Sequence, residues 1–89
     1  MNFYEVKEPY YALIMAKNEE EAYHLYVNTV ANDYDNNLQE EIKLLDREIG
    51  IIKYSRGLSE DKELIDIKEI IDNVKGFESK VLLIDGSLL

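Results

Sequence analysis

Apolar residues fall along this chain in short runs, and the densest is Tyr10-Tyr11-Ala12-Leu13-Ile14-Met15-Ala16. It is apolar at both alternating phases, which predicts a strand buried on both faces. Behind it, Asn18 is a good N-cap, Glu21 completes a capping-box pattern, and Glu19, Glu20 and Glu21 suit the positive end of a helix dipole. Ala22, Leu25, Tyr26, Thr29 and Val30 then recur at three- and four-residue spacing. A helix is therefore predicted from about Glu19 to Ala31, ending in a polar loop over Asn32–Asn37.

The segment Leu38–Ser55 carries two signals. Leu38, Ile42, Leu45 and Ile49 have helical spacing, whereas Ile49-Gly50-Ile51-Ile52-Lys53-Tyr54 is rich in residues that favour strands. Two strands are preferred, Glu41–Leu45 and Glu48–Ser55, reversing near Asp46-Arg47, although Asp-Arg is not a favoured hairpin turn. One long bulged strand, or a helix plus a strand, fits the same residues. After a polar loop over Gly57–Glu63, Asp66 and Glu69 form a second capping-box pattern, and Ile65 can staple to Ile70. Ile67, Ile70, Ile71 and Val74 give that helix its buried face, Gly76 ends it, and Val81–Ile84 is a short strand. Met1–Glu8 reads as an extended arm, and Pro9 as the start or edge of a strand.

The resulting order is strand, helix, strand, strand, helix, strand. That is the α+β, ferredoxin-like split βαβ arrangement (βαββαβ), an antiparallel sheet with two helices on one face. Tyr10–Ala16 and Ile49–Tyr54 would be its central strands. At 89 residues the chain reads as one small acidic domain, burying roughly 60–65% of its unfolded surface.

Charge alters this picture more than composition does. The formal net charge is −9, from 19 acids and 10 bases. Direct binding to nucleic acid or to anionic lipid needs basic patches, so neither is an expected partner. Nine acids and two bases lie between Glu19 and Glu48, whereas Ile49–Ser59 holds only Lys53 and Arg56. Cysteine is absent, the N-terminus has no signal-peptide pattern, and the longest apolar run is seven residues. A cytoplasmic protein is the expectation.

No reaction is named by the residues. His24 is the sole histidine and predicts a solvated surface side chain, because a lone imidazole completes no acid–base or ligand set. Asp33–Asn37 begins like a calcium loop, but Leu38 and Leu44 stand where glycine and glutamate are required. Asp85-Gly86-Ser87 has an acid and a hydroxyl with no activating base, and the glycines are too scattered for a phosphate loop. No cofactor, metal or enzymatic activity is expected. Seven tyrosines without tryptophan suit either core-capping rings or interface anchors.

Tyr10–Glu21 (Tyr-Tyr-Ala-Leu-Ile-Met-Ala-Lys-Asn-Glu-Glu-Glu) and Val81–Leu89 (Val-Leu-Leu-Ile-Asp-Gly-Ser-Leu-Leu) resemble small acidic proteins of phages and mobile elements of Gram-positive bacteria. Some proteins of that kind are anti-CRISPR inhibitors, which often bind a nuclease at its DNA-recognition surface. The resemblance implies a non-enzymatic, DNA-mimic style of inhibitor and transfers no active residues. The expected partner is a basic protein such as a nucleic-acid-binding nuclease. Its contacts would be Glu19, Glu20, Glu21, Tyr23, Asp33, Tyr34, Asp35, Glu40 and Glu41. The alternative is a homodimeric structural or regulatory module that pairs through the open face of the sheet.

Overall fold

All five residues of the strand Ala12–Ala16 are completely shielded from solvent, as its two-sided apolar pattern requires. The computed structural model describes residues 1–8, 10–33, 37–56, 65–76 and 78–84. Its strands are β1 (Asn2–Val6), β2 (Ala12–Ala16), β3 (Ile42–Leu45) and β4 (Lys80–Ile84); its helices are α1 (Glu19–Thr29), α2 (Leu38–Glu41), α3 (Arg47–Arg56) and α4 (Ile67–Lys75). The fold is α+β, with a four-stranded antiparallel sheet in the order β3-β1-β2-β4.

Register is fixed by pairs such as Tyr4 with Ile14, Val6 with Ile42 and Leu13 with Leu83. Both β2 and β3 run antiparallel to β1, so they point the same way with β1 between them. The chain links them through α1 and α2, which makes a split βαβ unit.

The element order differs from the expected βαββαβ in three places. The N-terminal arm is a central strand: Phe3, Tyr4, Glu5 and Val6 are all buried between β2 and β3. The expected strand Glu48–Ser55 is instead helical, as part of α3. Its β-branched residues favour a strand locally, but the tertiary partner decides otherwise. Phe3 lies against Gly50, and a Cβ there would come within 2.4–2.7 Å of three Phe3 carbons. Only a bare backbone lets the helix sit this close to the sheet. The rest of Leu38–Ser55 is a one-turn helix followed by β3, whose limits match the expected Glu41–Leu45 within a residue.

The helices also lie on both faces rather than one. Alternation along β1 and β2 puts Tyr4, Val6, Ala12, Ile14 and Ala16 on one side, where Ala22 and Tyr26 of α1 and Leu38 of α2 complete the core. Ala12 and Ala16 leave room for the Tyr26 ring, which is fully buried. Leu13 faces the other way and packs with Tyr54 of α3 and Ile70 of α4. The sheet face reserved for a second subunit is thus occupied by the chain's own α3 and α4.

Helix ends follow their caps. Asn18 Oδ1 accepts from Glu21 N at 2.8 Å, and Glu21 Oε1 accepts from Lys17 N at 3.2 Å. Asp66 caps α4 by accepting from Lys68 N at 3.2 Å. The buried face of α4 is narrower than expected: Ile70 is buried and Val74 half-buried, whereas Ile67 and Ile71 are exposed. Pro9 and the segments 57–64 and 85–89 lie outside the described residues.

Candidate interaction surfaces

From Asn18 to Ile42 the chain has seven acids and neither lysine nor arginine, and this stretch builds α1 and α2. One side of the sheet is consequently acidic. Glu19, Glu20 and Glu40 are exposed, and Glu41 is half-buried. Glu21 is occupied in closing the start of α1. Tyr23 donates its hydroxyl to Asp33 Oδ2 at 3.0 Å, and Asp33 Oδ1 accepts from Leu38 N at 3.1 Å, which ties the middle of α1 to the start of α2. That bond to Asp33 raises the Tyr23 pKa. Tyr34 and Asp35 lie outside the described residues.

Among the described residues, the expected contacts Glu19, Glu20, Glu21, Tyr23, Asp33, Glu40 and Glu41 belong to α1, α2 and the segment between them. Glu19–Glu21 form the first turn of α1, and Asp33 is held against Tyr23 of the same helix. His24 is exposed, 3.9 Å from Glu20 and edge-on to Tyr23. Among the described residues no group of three or more His, Asp or Glu comes together as a metal site.

The opposite side has a different character. Glu5 is 5% exposed in a central strand, and its Oε2 accepts from Lys53 Nζ at 2.6 Å and from Tyr11 Oη at 2.8 Å. Burial pushes the Glu5 pKa up, but the hydrogen bonds from Lys53 and Tyr11 and the charges of Lys53 and Lys7 outweigh it, so the carboxyl stays below its ordinary value. Burial, and then the Glu5 carboxylate, push Tyr11 well above the usual phenol range. Tyr11 is thus a donor held protonated, not an activated base.

Above this cluster lies an open groove of about 640 Å³ between α3 and the sheet. Glu5 and Tyr11 lie in its lining, Ile49, Ile52 and Leu83 supply apolar wall, and Lys7, Lys53 and Arg56 supply charge. A strand over Glu48–Ser55, the expectation from its residue types, does not bring these residues together; the helix α3 does. The available signal was the acid-free stretch after Glu48, with Lys53 and Arg56 spaced as neighbours on a helix.

These features define a small α+β domain with one acidic side and one cationic, aliphatic groove. The YosH C-terminal domain family matches residues 1–83, and the chain belongs to that family. It is 43% identical over 89 residues to the SPbeta prophage-derived uncharacterized protein YosH of Bacillus subtilis (strain 168). The alignment covers all of this chain and 57% of that relative, so the chain spans a little over half of the relative's length. A prophage-derived relative in a Gram-positive bacterium agrees with the phage and mobile-element likeness of the sequence. No solved structure matches. No helix among the described residues is long and apolar enough to cross a membrane.

Proposed function

We propose that this domain is a non-catalytic interaction module whose acidic side, built by α1 and α2, docks on a basic surface of a partner protein. The observation that carries the reading is the segregation of charge: the described residues of Asn18–Ile42, which build α1 and α2, include the six acids Glu19, Glu20, Glu21, Asp33, Glu40 and Glu41 and neither lysine nor arginine. Such a face speeds encounter with a cationic surface and selects against acidic partners. A nucleic-acid-binding protein is the partner class with the matching charge, and the prophage origin of the relative fits an inhibitor of a host nuclease in the anti-CRISPR manner.

The test is affinity capture from a Bacillus subtilis lysate at low and moderate salt, run beside a variant carrying Glu19→Gln, Glu20→Gln and Glu40→Gln. Those three side chains are exposed and make no cap, so the variant keeps the fold. A basic nucleic-acid-binding protein retained by the native domain and lost by the variant is the expected result. Equal retention by both, or none, removes the reading. For the nuclease form, the purified domain should slow DNA cleavage by the captured enzyme.

A further inference from the structure

We infer that the groove between α3 and the sheet is a second docking site, on the face away from α1, and that it takes a short acidic and aliphatic peptide segment of another protein. Two features select this occupant. Ile49 and Ile52 are 44% and 51% exposed and sit one helical turn apart, facing the groove with Leu83. A half-exposed isoleucine pair beside a third apolar wall gains from covering by aliphatic side chains.

The second feature is charge. Glu5 is already neutralised by Lys53 and held by Tyr11, so it adds little repulsion toward an incoming carboxylate. Lys7 and Arg56 are exposed at the groove and form no ion pair among the described residues. In a chain of net charge −9, this concentration of cations complements aspartate or glutamate side chains set between aliphatic ones. Nucleic acid fits poorly, because a long polyanion meets the acidic remainder of the molecule as well. A small amphiphile fits poorly too: sites for such ligands enclose most of the ligand surface, and this trough is open.

The groove and the acidic α1 side are independent, and the variants that test one leave the other intact. The probe is a dodecapeptide of alternating Leu and Asp, blocked at both ends, titrated into the labelled domain with amide NMR as the readout. Shifts should concentrate at Ile49, Ile52, Lys53 and Arg56, and a Leu–Lys peptide should produce none there. The double variant Lys7→Gln/Arg56→Gln should weaken binding by about tenfold or more while its amide spectrum away from the groove stays native. Ile52→Ser should weaken it as well. The proposal is overturned if the Leu–Asp peptide gives no shifts at ~1 mM, if both peptides bind alike, or if the double variant binds normally. It is equally overturned if decanoate moves these residues and the peptide does not.

Discussion

The ammonium of Lys53 meets the carboxylate of Glu5 at 2.6 Å, joining a helix to a central strand across 48 positions of sequence. Glu5 is almost fully buried and Lys53 is 40% exposed, so the two ends of this pair stand in different solvation. Removing Lys53 leaves a buried carboxylate with the Tyr11 hydroxyl as its remaining side-chain donor among the described residues. Lys53→Met should destabilise the domain by about 1–3 kcal/mol, below the cost for a fully buried pair because the ammonium reaches water. Glu5→Gln should cost less, and a double-mutant cycle by denaturant melts should show the two changes to be non-additive.

The same cluster sets a pH dependence. Glu5 has a folded pKa below its ordinary 4.5, so its contribution is fully present above that pH and is lost as pH falls through the folded value. Tyr11 is raised above 10.0; its contribution is full below pH 10.0 and is lost as pH climbs toward the folded value. Thermal melts should weaken at both extremes. Glu5→Gln should flatten the acid limb, and Tyr11→Phe the alkaline one. A Glu5→Gln acid limb identical to that of the native domain contradicts this assignment.

Gly50 is a point of close backbone approach between α3 and the sheet. Alanine normally favours a helix over glycine by about 1 kcal/mol, yet here its methyl group meets the base of the buried Phe3 side chain. Gly50→Ala should therefore destabilise, by about 1–3 kcal/mol, despite the better helix former. Adding Phe3→Leu should recover part of that loss relative to Phe3→Leu alone, which a cycle of melts would detect.

Tyr26 anchors the segment before β2 to α1. Its hydroxyl donates to Tyr10 O at 2.8 Å and accepts from Tyr10 N at 3.1 Å. Tyr26→Phe keeps the ring in the core but removes both bonds, at an expected cost of about 1–2 kcal/mol. Amide exchange of Tyr10 should quicken more than that of β2 residues, because only the tether is lost.

The acidic side predicts a salt response. Adjacent carboxylates at Glu19–Glu20 and Glu40–Glu41 repel weakly, and about 0.15 M salt reduces the screening length to ~8 Å. The isolated domain should gain stability as sodium chloride rises, whereas a complex formed through α1 should weaken. Replacing Glu19, Glu20 and Glu40 with glutamine should remove much of the gain; an unchanged salt slope would assign the repulsion elsewhere.

Local physics made the α1 half of this molecule legible. A two-sided apolar run has one stable home, the middle of a sheet, and β2 is there. Asn18 and Glu21 mark the start of α1 through bonds made within a few residues, and Asp66 does the same for α4. The acid-rich stretch was equally visible, since charge is additive along a chain. What the sequence left open was the use of residues whose partners are distant. Met1–Val6 alternates too little to declare itself a strand, and it becomes central only because β2 and β3 pair with it from both sides. Ile49–Tyr54 has strand-forming residues, yet Gly50 against Phe3 and Tyr54 against Leu13 hold it as a helix on the second face. Once that helix is in place, Lys53 lies over Glu5 and the groove exists. Local propensities of tenths of a kcal/mol per residue yield to packing of whole side chains, so the acidic face was written in the sequence and the groove was decided by the fold.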